Sequence, residues 1–171
     1  YEMTMASAAK AMKLSNTTDL AAHCASLVAE NKEKDRQIES LNQKISDAKM
    51  AAIFDNAKEI NGVKVVSAML SGTTPQVLRK MGDTIKDMKE PVVAVLASVN
   101  GEKGNLVCAC SADARKKGAH AGKIVQRVAA VTGGKGGGKP DSAMAGIGKT
   151  YMVDEALIAL DGIAAEFLKE D

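Results

Sequence analysis

The sequence predicts a small α/β globular domain with a mixed sheet, preceded by an extended helical arm of coiled-coil character. Three observations lead to this prediction. Apolar residues recur at alternating spacings of four and three over residues 20–52, which is typical of a coiled-coil seam. From residue 63 onward, β-branched runs alternate with amphipathic stretches, as in α/β proteins. Between the two lies the turn signal Asn61-Gly62, so we expect the arm to occupy residues 1–60 and the α/β domain residues 61–171.

The arm is predicted to contain a short helix over residues 2–14 and a second, long helix that begins after the polar cluster 15–18. Eight of the ten seam positions of the long helix are apolar, with Asn31 and Lys34 as the exceptions. The first helix is too short to cover about 50 Å of partner at 1.5 Å per residue. We therefore expect a homodimer through the arm, although an antiparallel hairpin within one chain is the alternative. The residues expected at the dimer contact are Leu27, Asn31, Ile38, Leu41 and Ile45.

In the α/β domain each element has its own signal. Thr74-Pro75 supplies a helix cap followed by proline at the first helical position. The continuous β-branched run that follows Pro91 predicts a buried strand, and Asn100-Gly101 predicts a hairpin-type connection to the next one. The predicted strands are 63–70, 91–99 and 106–110, and the predicted helices are 75–89, 118–131 and an amphipathic one from 153 to the end.

The net charge of +2 is unevenly distributed along the chain. Residues 113–149 contain eight Lys or Arg and two acidic residues, whereas the remainder has fifteen basic and nineteen acidic residues. This asymmetry indicates a polyanion-binding face. With no Trp, two Tyr and two Phe, the chain is poorly equipped to stack single-stranded bases, so recognition of backbone or shape is favoured.

Composition also indicates the cellular compartment in which the protein works. Three cysteines without a C-x-x-C pair argue against disulfides and zinc and favour a reducing, cytoplasmic compartment. No apolar run is long enough to span a bilayer. Because the chain begins with Tyr rather than Met, we expect it to be a fragment of a longer protein.

The most unusual stretch is 133–149, in which seven of seventeen residues are glycine. Glycines allow φ > 0 and close approach of backbone N–H groups to a ligand, and such turns form anion-binding concavities. Lys135, Lys139 and Lys149 add positive charge. The stretch therefore predicts an anion-binding loop, and a flexible linker is the plainer alternative.

Catalysis is not supported by any motif. Residues 133–139 have the spacing of a nucleotide-binding P-loop, but Pro140 stands where the magnesium-binding hydroxyl is required. Gly148-Lys149-Thr150 has the hydroxyl, but Ala143 replaces the first glycine of the motif and only 21 residues follow. His23 and His120 have no clustered carboxylates. We expect no catalytic site, no metal and no cofactor in this chain.

Beside the glycine stretch, the predicted helix 118–131 is basic. Four side chains at spacings of four, three and four would share one face: Lys116, His120, Lys123 and Arg127. The alternative is an ordinary solvated face. Phosphate recognition commonly combines backbone N–H groups with Lys and Arg, so we predict one joint site. Its expected members are Lys116, His120, Lys123, Arg127, Lys135, Gly136, Gly137, Gly138, Lys139 and Lys149.

The glycine stretch resembles the C-terminal glycine-rich motif of alanyl-tRNA synthetases. The resemblance is carried by GGKGGGKPD at 133–141 and AMAG at 143–146. Two further stretches agree with it, INGVKVV at 60–66 and HAGKIV at 120–125. The order of a helical arm and a small α/β domain also matches the C-terminal region of that family.

This resemblance implies binding of the outer corner of tRNA, specifically tRNA-Ala, where the D- and T-loops meet. It further implies that the region assists aminoacylation and editing and supports dimerisation, while the zinc and ATP sites of such enzymes would lie outside this chain. One alternative is the related nucleic-acid-binding domain of DHH-family phosphoesterases, whose Asp-His-His residues are absent here. Another is a pure oligomerisation module with a solvated basic face.

Overall fold

The computed structural model describes residues 2–168, so the outermost residues of the predicted arm and domain, 1 and 169–171, lie outside the described residues. The chain divides into two compact units, one up to Asn42 and one from Gln43 onward. The predicted division into 1–60 and 61–171 stays a prediction about domains.

The first unit contains α1 (Glu2–Ala11) and most of α2 (Leu20–Phe54), which is one continuous helix of 35 residues. The Sγ atom of Cys24 lies 3.9 Å from the Sδ atom of Met12, a contact between a thiol and a thioether. Large apolar side chains remain exposed along α2: Leu27 by 38%, Ile38 by 55%, Leu41 by 57% and Ile45 by 46%.

The second unit is built on one six-stranded sheet with the order β1-β2-β3-β4-β6-β5. β2 and β3 are parallel, and every other neighbouring pair is antiparallel. The strands are β1 (Lys58–Ile60), β2 (Val63–Met69), β3 (Val92–Asn100), β4 (Lys103–Cys110), β5 (Lys135–Gly138) and β6 (Ser142–Gly146).

Helices cover both faces of the sheet, which explains why β3 is buried almost throughout. On one face, α3 (Pro75–Lys86) packs with the last turns of α2, and Leu78, Met81 and Ile85 of α3 are fully buried. α3 begins as predicted, because the Thr74 hydroxyl accepts a hydrogen bond from the Val77 N–H at 3.4 Å. The other face is covered by α5 (Ala121–Val131) and α6 (Val153–Phe167). A short helix, α4 (Ala112–Lys116), precedes α5, and a 3₁₀ turn, Thr150–Met152, precedes α6.

Two features differ from the sequence prediction. The basic stretch does not form one helix from 118, because Gly118 has a positive φ of 104° and separates α4 from α5. The glycine stretch is a β-hairpin of β5 and β6, and within it only Gly133 has a positive φ, 72°. Glycine has a low strand propensity, so the sequence gives little indication of β5, which forms because β6 supplies a partner strand.

Gly122 of α5 lies directly against β5. A Cβ atom at Gly122 would lie 2.4 Å from the carbonyl oxygen of Gly138. The Gly122 N–H donates to the Lys139 carbonyl at 3.1 Å, and the Ala121 N–H donates to the Pro140 carbonyl at 2.9 Å. The absence of a side chain at position 122 therefore allows the helix to approach the backbone of the edge strand.

This contact leads to a stability prediction. Gly122→Ala is expected to destabilise the fold by about 1–3 kcal/mol, because the clash with β5 outweighs the better helix propensity of alanine. Gly162→Ala in α6 is the matched control, since a Cβ there meets no atom within 4 Å and alanine should stabilise the helix by about 0.5–1 kcal/mol. Urea denaturation followed by circular dichroism measures both changes, and equal effects of the two substitutions would contradict the clash.

Candidate nucleic-acid interface

The β5–β6 hairpin is fixed to the rest of the domain at both ends. At one end the carbonyls of Lys139 and Pro140 accept the hydrogen bonds from α5 described above. At the other end Thr132, which is fully buried, accepts from the Gly148 N–H through its hydroxyl at 3.2 Å and from the Lys149 N–H through its carbonyl at 2.7 Å. The hairpin is therefore a supported edge of the sheet, which excludes the linker alternative.

The two faces of the hairpin have different surroundings. Ala143 and Ala145 of β6 are buried in the core beneath α5 and α6. Met144 points to the opposite face, where it packs against the α3 side of the domain. In the register of the hairpin Gly137 is paired with Met144 and Lys135 with Gly146, so this second face carries glycine backbone beside a lysine. We call it the α3-side face of the hairpin.

Most glycines of this region are explained by packing or by backbone conformation. A Cβ at Gly136 would lie 2.3 Å from the Cα of Ala145, and one at Gly138 would lie 2.8 Å from the Cα of Ala143. Gly134 and Gly148 are equally crowded by neighbouring backbone. Gly146 has room as well, since a Cβ there would come only within 3.9 Å of the Lys135 carbonyl oxygen. Gly137 is the most open, because a Cβ there meets no atom within 4 Å and its φ is not in the left-handed region. The fold does not require glycine at this position.

Four of the predicted cations are exposed and have no acidic partner among residues 2–168. Lys135 begins β5, and Lys139 follows its end. Lys123 lies in the first turn of α5, whose start is hydrogen-bonded to the Lys139 end of the hairpin. Lys149 follows β6 at the Thr132 end. The structure thus places these four charges around one hairpin.

The other two predicted cations are engaged within the protein. Lys116 lies in α4 and forms an ion pair of 2.7 Å with Asp113. Arg127 points to α6, where its guanidinium contacts both carboxylate oxygens of Glu166 and lies 5.8 Å from the ring centroid of Phe167. Any binding of a polyanion by these two side chains would compete with these contacts.

His120 occupies the cap position of α5. Its Nδ1 accepts a hydrogen bond from the Lys123 N–H at 3.3 Å. The structure therefore gives His120 a role at the start of the helix, and its predicted phosphate contact, through the other ring nitrogen, stays a prediction.

Sequence reasoning missed Arg79. This residue is exposed on α3, and its Nε and Nη2 lie 3.4 and 3.2 Å from the Sδ of Met144. It lies outside the basic stretch 113–149, so the uneven distribution of charge along the sequence does not indicate it. Its exposed position on an amphipathic helix was a weak signal, because most such positions are simply solvated.

The remaining chemistry of the chain is sparse. Among the described residues no group of three His, Cys, Asp or Glu could hold a metal ion. Cys108 and Cys110 are both buried, and burial, followed by a hydrogen bond with Cys110, raises the pKa of the Cys108 thiol well above its ordinary value. In the part of the chain that is described, no helix is long and apolar enough to cross a membrane.

Comparisons of the sequence with a family model and with curated proteins agree on the family of this chain. The model of the DHHA1 domain matches residues 62–166. The alanine–tRNA ligase of Shouchella clausii is 39% identical over 150 residues, 88% of this chain and 17% of that ligase. The corresponding enzyme of Listeria welshimeri is 45% identical over 120 residues, which cover 70% of this chain and 14% of that ligase. The chain therefore spans about a sixth of the curated relatives it matches, and the match is to their C-terminal domain, outside the catalytic domain.

Solved structures show the same fold. The C-Ala domain of alanyl-tRNA synthetase from Aquifex aeolicus superposes with a TM-score of 0.60 at 24% identity, covering 64% of this chain and 98% of that domain. A DHH-domain protein described as a member of the s1p family of ribosomal proteins superposes with a TM-score of 0.55 at 15% identity, covering 81% of this chain and 33% of that protein. At these identities the likeness concerns the fold alone.

The ion pair of Arg127 and Glu166 leads to a prediction about pH. A hydrogen bond from Arg127, together with its charge, lowers the pKa of Glu166. Because the pKa is lowered in the folded state, the stabilisation is present above the unfolded pKa and is lost as the pH falls through the folded one. A carboxyl-carbon NMR titration should give Glu166 a midpoint below that of an ordinary glutamate, and Arg127→Ala should return it to the ordinary range. An unchanged midpoint in that variant would contradict the pairing.

Proposed function

This chain belongs to the DHHA1 domain family, and from that premise we propose that it is the C-terminal tRNA-binding and dimerisation region of an alanyl-tRNA synthetase. It binds the outer corner of tRNA, where the D- and T-loops meet, and tRNA-Ala is the proposed partner. In the parent enzyme, which we propose to be cytoplasmic, it assists aminoacylation and editing by holding the tRNA. The reactions themselves take place in other domains, so this chain alone has no ligase activity.

The observation that carries the proposal is a group of four cations around the glycine hairpin without acidic partners in the described part of the chain. Elsewhere in the described domain several cations form ion pairs, as Lys58 does with Asp161 and Lys64 with Glu90. The four cations around the hairpin, Lys123, Lys135, Lys139 and Lys149, have no acidic partner among residues 2–168. A phosphate backbone is the ligand that supplies many negative charges to such a surface.

The mode of recognition follows from what the hairpin offers. It presents backbone and ammonium groups, which contact phosphate and sugar and respond to shape more than to sequence. Within residues 2–168 the side chain of Tyr151 is exposed, whereas Phe54 and Phe167 are partly buried, so an aromatic platform for several bases is not available. A folded RNA corner with closely spaced phosphates suits this surface better than a single strand.

We further propose that two copies associate through α2. Leu27, Ile38, Leu41 and Ile45 are exposed in the heptad seam, with Val28 beside it. A second α2 is the partner that has the same spacing of apolar side chains. Asn31 in the seam would select the register of the pair at some cost in stability.

The RNA-binding proposal is tested on the hairpin lysines. Lys135→Ala combined with Lys139→Ala is expected to weaken tRNA binding about tenfold or more and to flatten its salt dependence, because fewer counterions are released on binding. Fluorescence anisotropy with a folded tRNA and a plain RNA duplex, each at two salt concentrations, measures this. Lys58→Ala combined with Lys64→Ala is the matched control, since it removes two cations that form ion pairs within the domain. Equal, weak binding to both RNAs, or unchanged affinity in the folded double variant, would refute the proposal.

Dimerisation is tested separately on α2. Leu41→Asp places a charge in the apolar seam and should shift the sedimentation of the chain from dimer towards monomer. Ala29→Asp adds the same charge at an exposed position outside the seam and should leave the dimer intact. A chain that sediments as a monomer before any substitution would disprove this part of the proposal.

A further inference from the structure

We infer that Arg79 and the bare backbone at Gly137 form a binding point for an RNA phosphate on the α3-side face of the hairpin, and that Met144 is the positioning residue for Arg79. The inference rests on the proposed RNA binding and adds a helix that the glycine motif does not contain. It predicts that RNA contacts α3 as well as the hairpin.

The first argument is the environment of Arg79. Its guanidinium contacts Met144 through Nε and Nη2, at 3.4 and 3.2 Å from Sδ. A thioether is a weak, uncharged acceptor, so this contact orients the guanidinium without neutralising it. Arg127 provides the contrast, because its guanidinium is bound by both oxygens of Glu166. Arg79 therefore keeps its full charge and its remaining N–H donors for a ligand.

The second argument is the empty space above Gly137. Gly137 is the partner of Met144 across the hairpin, so it lies next to the residue that Arg79 contacts. Its neighbours in the strand, Gly136 and Gly138, are glycine because a Cβ would strike β6, but at Gly137 a Cβ would meet nothing. The backbone of Gly137 is therefore open to a ligand that approaches it closely.

The third argument is the charge that shares this face. Lys135 is two residues before Gly137 on the same strand, so the two positions lie on the same side of the sheet. A phosphate above Gly137 would lie between an ammonium on β5 and a guanidinium on α3. The planar fork of arginine binds two phosphate oxygens together, which lysine cannot do.

The central test is Arg79→Ala in the full 171-residue chain, titrated with a folded tRNA. Binding is expected to weaken about five- to tenfold, and the slope of log K against log salt is expected to fall by about 0.7–0.9, the value for one phosphate contact. Arg79→Lys keeps the charge but not the fork and should restore only part of the affinity. Lys89→Ala removes an exposed cation beyond the other end of α3 and is the control that should leave binding unchanged.

Gly137→Ala tests the open backbone. Because the new methyl group meets no protein atom within 4 Å, the thermal unfolding temperature should be unchanged or higher, whereas tRNA binding should weaken severalfold. Loss of binding without loss of stability is a result that a purely structural glycine would not give.

Met144 is tested with two substitutions of similar size. Met144→Leu removes the sulfur acceptor and should weaken binding in the unmodified chain but have no further effect in Arg79→Ala. Met144→Gln supplies a carbonyl oxygen at a similar reach and should restore the affinity lost in Met144→Leu. This rescue, with unchanged unfolding temperatures, separates positioning of the arginine from support of the fold.

The outcomes distinguish the two levels of the proposal. If the unmodified chain does not prefer tRNA over the RNA duplex, the proposed function itself fails. If tRNA binding is weakened by the Lys135 and Lys139 substitutions but not by Arg79→Ala, the function stands and the inference is overturned. An equal loss in Arg79→Ala and Lys89→Ala also overturns it, because the effect would then be one of general charge.

Discussion

The position of the hairpin edge depends on one close approach, that of α5 to the glycine strand β5. Gly122 lies against the carbonyl of Gly138, where any side chain at position 122 would clash. This contact allows the first N–H groups of α5 to bind the carbonyls at the end of the hairpin. Because α5 supports one face of β5, the opposite face can consist of exposed backbone without losing its position. A strand of three glycines would otherwise be a poor strand, since glycine loses more conformational freedom on ordering than any other residue.

The second organising property is the distribution of ion pairs. Arg127 is a clear case, because its position in the sequence suggests a role like that of Lys123, yet it turns towards α6 and pairs with Glu166. Surface pairs of this kind contribute little to stability, but they remove a cation from the surface available to a polyanion. Lys135 and Lys139 are left without such partners among the described residues, and Arg79 has only a thioether. The hairpin therefore keeps a group of cations available for a polyanion, although the net charge of the chain is small.

Predictions from the sequence are reliable where local chemistry is strong. Thr74-Pro75 capped a helix, and the β-branched run after Pro91 formed a buried strand, because both signals act over a few residues. The resemblance to alanyl-tRNA synthetases was confirmed by the family model and by the curated relatives. The hairpin was not foreseen as such, because nothing in KGGG favours a strand until β6 lies beside it. Arg79 was missed for a similar reason, since it lies 65 residues from Met144 in the chain.

By itself the sequence determined the class of the domain, its family and the kind of ligand that its charge favours. These properties follow from composition, periodicity and short motifs, which need no knowledge of distant contacts. Only the tertiary structure decided which cations stay available, which glycines packing requires and which helix lies beside the glycine strand. Each of these depends on atoms that are remote in the chain and meet only when the sheet has formed, so a reading of neighbouring residues could not supply them.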